Sequence, residues 1–335
     1  MAFPRSLTEM FAGLFRRGEN RVLSSRGTYR FAQLLGRGGM GEVWLAEKIG
    51  SAGFSKLVAI KTIASHRLQD LRILEMFLDE ARLVANLVHP NIVQVYQLSH
   101  TRREVFIIME HVFGRTLLQL LDRLQRKERE LPIDVTAHLI ARVCHGLYYA
   151  HNKRSRTGRH LQIVHRDICP ANILISFRGI PKLTDFGVAK AITSKVDDEG
   201  NVVWGKYAYM APEAVSRQGT DPRSDIYSLG LVMYEMLTGR LAHDVDSTQA
   251  LTELLTHEPV PARDPRLHAP HVPDQLAEIT LRATDPDPER RQQSAKILAT
   301  ELEQFLLASF LFPDEESTAD FLASLFSQAD RHRWW

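Results

Sequence analysis

Cysteine is scarce in this chain of 335 residues: there are two, Cys144 and Cys169, and each stands alone. Without C-x-x-C spacing the usual zinc patterns are excluded, and two isolated thiols give no disulfide framework, so a reducing cytoplasm is the expected home. Also missing is any run of roughly 18 apolar residues of the kind a membrane helix needs. The N-terminus lacks the unbroken apolar core and small-residue cleavage site of a signal peptide. These absences predict a soluble, unsecreted protein. Nor does charge of one sign prevail: 42 Lys and Arg stand against 40 Asp and Glu, a net +2. The basic residues are spread along the chain, which argues against nucleic acid as a partner. There is no internal repeat and no low-complexity segment.

What is present is an ordinary globular composition, 44% hydrophobic and 24% charged, enough for one large bilobal domain or two domains. Phe3, Leu7, Met10, Phe11, Leu14 and Phe15 fall at helical spacing before Arg16, Arg17 and Gly18, which predicts a short amphipathic helix. Its first reading is docking on the protein's own surface, with a partner or a membrane surface as alternatives. From Tyr29 to Val112 the segments YRFAQLLG, EVWLAEK, LVAIKTI, IVQVYQL and EVFIIMEHV predict strands. One helix over about residues 72–87 interrupts them, with Phe77, Ala81, Val84, Ala85 and Val88 on its buried face.

After Gly114 long helical stretches take over, among them DVTAHLIARVCHGLYYAHN, SDIYSLGLVMYEMLTG and AKILATELEQFLLASF, broken by a loop-rich region over 165–213. The organisation is an N-terminal extension over 1–28, a strand-rich lobe over 29–112, a helix-rich lobe over 113–308 and a C-terminal helical tail over 309–335. In that tail Phe321, Leu322, Leu325 and Phe326 share one face, the pattern of a terminal helix packed on the large lobe. A strand-rich lobe followed by a helix-rich one leads to the expectation of a cleft. The charged runs RLQRKERE and NKRSRTGRH read as solvated faces or loops.

The chemistry is concentrated in short motifs. GRGGMGEV supplies Gly36, Gly38 and Gly41 between two strand-like segments. Glycines let a backbone approach phosphates and offer them its N–H groups. A strand follows rather than a helix, which argues against a dinucleotide-binding fold. About twenty residues on, VAIK places Lys61 on a strand, where alone it reads as an ordinary exposed lysine. It is followed in order by Glu80 on the helix, His165-Arg166-Asp167, Asn172, Asp185-Phe186-Gly187 and Ala211-Pro212-Glu213.

In that joint order the chain resembles the protein kinase family over about residues 29–308. The resemblance implies an α+β, bilobal fold with a small β-rich N-lobe and a larger helical C-lobe. It implies ATP as phosphate donor and Mg2+ as metal. Gly36, Gly38 and Gly41 would cover the phosphates, with Val43 and Ala59 beside the nucleotide, and Lys61, paired with Glu80, would grip the α- and β-phosphates. Asn172 and Asp185 would hold the metal through oxygen atoms. Asp167 would accept or orient the proton of the attacking hydroxyl. Met109 would sit behind the adenine, or serve as core filling, and the backbones of Glu110 and Val112 would bond the adenine edge. Asp225 looks like the buried aspartate that anchors the catalytic loop, and Arg291 looks like the partner of Glu213.

Two departures from the family pattern stand out. Where most serine/threonine kinases carry a lysine two residues after the catalytic aspartate, this chain has Cys169, and where Gly-Thr usually precedes the YMAPE element it has Gly205-Lys206. Lys206 is therefore expected to supply the charge that Cys169 cannot. A subgroup of bacterial kinases is similar at both places, so a bacterial origin is expected, and the alternative to an active enzyme is a pseudokinase scaffold. Pro170 implies serine or threonine as acceptor, with autophosphorylation, while Thr116 and Ala171 give no sign of a preference for basic substrates. For Arg166 the expected partners are Asp197, Asp198 or Glu199, against the simpler reading of that stretch as a solvated turn. Cys169 reads as a small tolerated replacement, with a redox-sensing thiol as the alternative.

Overall fold

The computed structural model describes residues 22–24, 27–38, 41–63, 84–100, 105–186, 207–215, 219–243, 260–328 and 330. Outside them lie the expected N-terminal helix, most of the expected helix over 72–87 with Glu80, and the segment carrying Asp197, Asp198, Glu199 and Lys206. The chain divides into two compact units. One runs to Asn86 and takes in Gln94–Phe113 and the residues from Phe326 on; the other comprises Leu87–Val93 and Gly114–Leu325.

The first unit is built on an antiparallel sheet of β1 (Val22–Ser24), β2 (Thr28–Gly38), β3 (Gly41–Ile49), β4 (Ser55–Ile63), β5 (Val95–His100) and β6 (Val105–Glu110), in the order β1-β2-β3-β4-β6-β5. Side chains alternate faces along a strand, so register decides what each face carries. Trp44 pairs with Ile60 and Ile60 with Ile108, while Ala46 pairs with Val58. With Tyr29, Phe31 and Phe106 these make an apolar cluster on one face, against which Trp44 packs. Phe31 and Trp44 meet edge to face with ring centroids 5.9 Å apart. The opposite face carries the row Gly36, Val43, Lys61, Ile107 and the row Leu45, Ala59, Met109.

Two expectations here need correcting. The predicted strand from Ile92 starts only at Val95; Ile92 belongs to the second unit and makes a lone bridge there to Leu183. Ala85 and Val88, expected on a buried helix face, are both exposed, Val88 by 68%, while Val84 and Leu87 are buried. The helix gives way to a turn at Ala85, so the three-to-four-residue spacing stops applying and the inward position moves to Leu87.

The second unit holds β7 (Gly114–Thr116), α1 (Leu117–Arg126), α2 (Ile133–His151), β8 (Ile173–Ser176), β9 (Pro181–Leu183), α3 (Pro212–Val215), α4 (Pro222–Thr238), α5 (Asp274–Ala283), α6 (Ala295–Ala308) and α7 (Glu315–Leu325). The region after Gly114 is thus not helices and loops alone: β7, β8 and β9 form a second small sheet. A Cβ on Gly114 would lie 2.0 Å from the Ile175 carbonyl, so only glycine permits that pairing. Thr116 and Gln119 form a reciprocal cap that starts α1.

Helix α4 is the buried centre of this unit. Asp221 caps its first turn, Pro222 begins it, and Gly239 ends it in the left-handed region. It packs against α2 and α5, while α2 also packs against α6. Asp314 and Ser317 cap α7 reciprocally, and Leu322 and Leu325 are buried. Arg123 donates to the Leu325 carbonyl and Arg129 to Ser324 Oγ, so two arginines of the RLQRKERE run hold this helix. No helix among the described residues is long and apolar enough to cross a membrane.

Candidate active site

The loop from His165 to Asn172 is suspended from α4 by one carboxylate. Asp225, 1% exposed, accepts the His165 N–H at 2.7 Å and the Arg166 N–H at 2.8 Å, and its Oδ2 lies 2.8 Å from His151 Nε2. Burial alone would push this carboxyl up, but the His151 and His165 contacts outweigh it and hold it below the ordinary range. His165 Nε2 faces the Thr184 carbonyl at 3.1 Å and its Nδ1 accepts the Asp167 N–H. Burial lowers its pKa, so the ring is neutral at pH 7. Its ring packs on Phe186, centroids 4.4 Å apart.

Asn172 binds Asp167 twice: Nδ2 donates to the Asp167 carbonyl at 2.8 Å and to Oδ2 at 2.6 Å. With its amide nitrogen so engaged, Asn172 presents Oδ1 as an acceptor on the other side. The Thr184 N–H donates to the Asn172 carbonyl at 3.0 Å, which brings the following residue, Asp185, to the same place. An amide oxygen and a carboxylate are hard donors and fit a divalent cation such as Mg2+. Arg166 (φ 62°) and Asp185 (φ 57°) both adopt left-handed backbone, a conformation that costs about 1–3 kcal/mol and collects at functional loops.

Cys169 is 3% exposed and precedes a tight turn over Pro170–Asn172. Burial removes the access that an oxidant requires, which disfavours the redox reading. Arg166 Nε donates to Thr220 Oγ1 at 2.9 Å, a partner that no motif announced. Glu213 accepts both Arg291 Nη atoms, at 2.7 and 2.9 Å, and Ser224 Oγ at 2.7 Å, the pairing expected from the sequence. Unforeseen was the Tyr209 hydroxyl, which donates to Glu235 in a buried site. Burial pushes Tyr209 well above the ordinary phenol range and raises Glu235 as well, although the Tyr209 hydrogen bond works against the rise at Glu235.

In the first unit, register puts Val43, Ala59, Lys61 and Met109 on the face opposite the apolar cluster, beside the hairpin in which Gly38 pairs with Gly41. Met109 and Ala59 are 8% and 5% exposed. The Glu110 N–H donates to the Gln94 carbonyl at 2.8 Å while Glu110 Oε2 accepts the Gln94 N–H at 3.2 Å, which fixes the backbone entering Val112. His111, between them, is lowered to about 4 by burial. No motif in the sequence points to it. Glu80 and Lys206 lie outside the described residues, so the expected ion pair and the expected replacement lysine have no geometry here.

The model of the protein kinase domain matches residues 29–334. A tyrosine-protein kinase of Myxococcus xanthus, MasK, is 38% identical over 286 residues, 85% of this chain and 44% of that protein. The serine/threonine-protein kinase PrkC of Bacillus subtilis is 33% identical over 276 residues, 82% of this chain and 40% of its own length. PknA of Mycobacterium tuberculosis, a serine/threonine-protein kinase, is 36% identical over 270 residues, 76% of this chain and 56% of the relative. The chain therefore spans about half the length of the curated relatives it matches. Among solved structures, the PknI kinase domain of Mycobacterium tuberculosis superposes with a TM-score of 0.63 at 24% identity, over 84% of this chain and 96% of that one.

Proposed function

Because this chain belongs to the protein kinase family, among its bacterial eukaryotic-like members, we propose that it transfers the γ-phosphate of Mg-ATP to serine or threonine hydroxyls of proteins, its own included. The observation that carries this reading is the double bond-donation from Asn172 to Asp167. It holds the carboxylate in one orientation and leaves the amide oxygen for a cation. In this reading Asp167 takes or orients the proton of the attacking hydroxyl. Asn172 and Asp185 hold Mg2+, which supplies positive charge against the phosphate oxygens. Lys61, paired with Glu80, grips the α- and β-phosphates, and Gly36, Gly38 and Gly41 lay backbone over them. Val43, Ala59 and Met109 line the base, with the Glu110 carbonyl and the Val112 N–H at its edge. Lys206 takes over the charge that Cys169 lacks.

Two other readings have support of their own. The relative MasK is named a tyrosine-protein kinase, which favours tyrosine as acceptor, and the loss of the usual loop lysine at Cys169 favours a pseudokinase. Incubating the chain with γ-labelled Mg-ATP and a generic basic protein, then separating the phosphoamino acids, distinguishes all three. Label on serine or threonine that is absent from Asp167→Asn supports the proposal. Label on phosphotyrosine alone moves the acceptor. No label above that of Asp167→Asn, with nucleotide still bound, supports the scaffold. For Lys206→Met, a loss of about 10²-fold in kcat is expected from removing one charge that stabilises the transferred group. An unchanged rate overturns the replacement account alone.

A further inference from the structure

Helix α2 and the loop before β5 border an open surface depression of about 660 Å³ with no residue of the proposed reaction in its wall. Gly146 lets the two approach: a Cβ there would lie 3.0 Å from the Asn91 carbonyl. The wall includes His89, Arg142, His145, Tyr149, Lys153 and Arg154, and no acidic side chain.

The hydrogen bonds around it orient its donors. His89 Nδ1 accepts the Asn91 N–H at 3.1 Å, so the neutral ring carries its proton on Nε2. Tyr149 Oη accepts twice, from the Val88 N–H at 3.3 Å and from Lys153 Nζ at 2.8 Å. Its own O–H must then donate elsewhere. Lys153 retains two further N–H groups. Arg154 uses Nη1 on the Gly158 carbonyl at 3.0 Å and keeps its remaining donors. His145 is held by Glu303 at 2.7 Å, and Arg142 is 3.7 Å from Glu315. These acids stand outside the wall and leave Arg142 most of its guanidinium. The stacked His89 and Tyr149 rings, centroids 5.2 Å apart, stiffen one side.

We infer that this depression is a binding site for the oxyanion of a phosphate group, free or carried as a small monoester. Three permanent cations and two neutral donors converge on one concavity, and a phosphate offers several acceptor oxygens to match them. The same field is felt by His89, whose pKa is lowered by burial and by His145, Arg142 and Lys182. The inference does not depend on the phosphotransfer reading, because none of these residues takes part in it.

The test is a titration of the whole chain with inorganic phosphate and with phenyl phosphate, followed through the side-chain 15N signals of His89 and His145. The wild type is expected to show saturable shifts at both rings. Arg142→Gln and Lys153→Gln are each expected to weaken the apparent Kd by about tenfold, the usual cost of one charge-assisted bond. Unfolding curves of both variants establish that the fold is retained; if either fails to fold, Arg154→Gln replaces it. Tighter binding of phenyl phosphate identifies an ester as the ligand, and equal binding identifies free phosphate. No saturable shift in the wild type, or shifts that survive every substitution unweakened, overturns the inference.

Discussion

Replacing Asp225 gives the sharpest test of how the loop from His165 to Asn172 is held. The carboxylate accepts from two backbone N–H groups and His151 inside the unit. In Asp225→Ala these groups lose their partner without gaining water, and breaking a buried charged contact of this kind costs about 3–5 kcal/mol. A domain is stabilised by only about 5–15 kcal/mol in total. At about 2–4 °C per kcal/mol, the melting temperature should fall by about 6–20 °C. Asp225→Asn keeps the shape and one acceptor but points an amide N–H at one donor, for a loss of about 1–3 kcal/mol. The folded pKa of Asp225 is depressed, so its contribution is complete above the unfolded value of about 4 and is lost as pH falls through the folded value. The gap between wild type and Asp225→Asn should therefore be full at pH 7 and close below about pH 4. Urea unfolding followed by circular dichroism measures both. An Asp225→Ala variant within about 1 kcal/mol of wild type would refute the account, because three unpaired buried donors cannot be that cheap.

Other substitutions probe other contacts. Arg291→Lys removes the two-pronged grip on Glu213 and should cost about 2–4 kcal/mol, read from the shift of the urea midpoint. Thr116→Ala removes the cap of α1 and should cost about 1 kcal/mol by the same assay, with Thr116→Ser near neutral. His111 and His165 are both depressed by burial, so the unfolded chain binds their protons first. Stability should hold above about pH 6.5 and decline as pH falls toward His111's value of about 4. His111→Gln should flatten part of that decline in a series of thermal melts.

The sequence was legible where its patterns were long. Strands β2, β3, β4 and β6 carry alternation over enough residues to be read, and α2, α4 and α6 carry sustained apolar content. Strands β7, β8 and β9 have three or four residues each, too few for a period to show. Val88 misled because spacing continues on paper after a helix has stopped. The Asp225 and Arg291 contacts were foreseen through resemblance, not through any local signal, since their partners lie 60 and 78 residues away. Nothing in the sequence announces the Tyr209–Glu235 pair, the Arg166–Thr220 bond or the depression beside Tyr149, because each depends on which side chains a distant element brings near.

Strand alternation in the first sheet has a further consequence. Ile60 and Lys61 are neighbours in the chain yet serve opposite faces, as do Ile108 and Met109. Sliding β4 by one residue would turn Lys61 into the apolar cluster and carry Ile60 out of it in the same motion. Burying that ammonium without a partner would be far costlier than losing one contact. Packing thus acts as a proofreader: misalignment that would spoil the row on the opposite face first spoils the core. A chain that has closed its apolar cluster has already aimed Val43, Ala59, Lys61 and Met109 together.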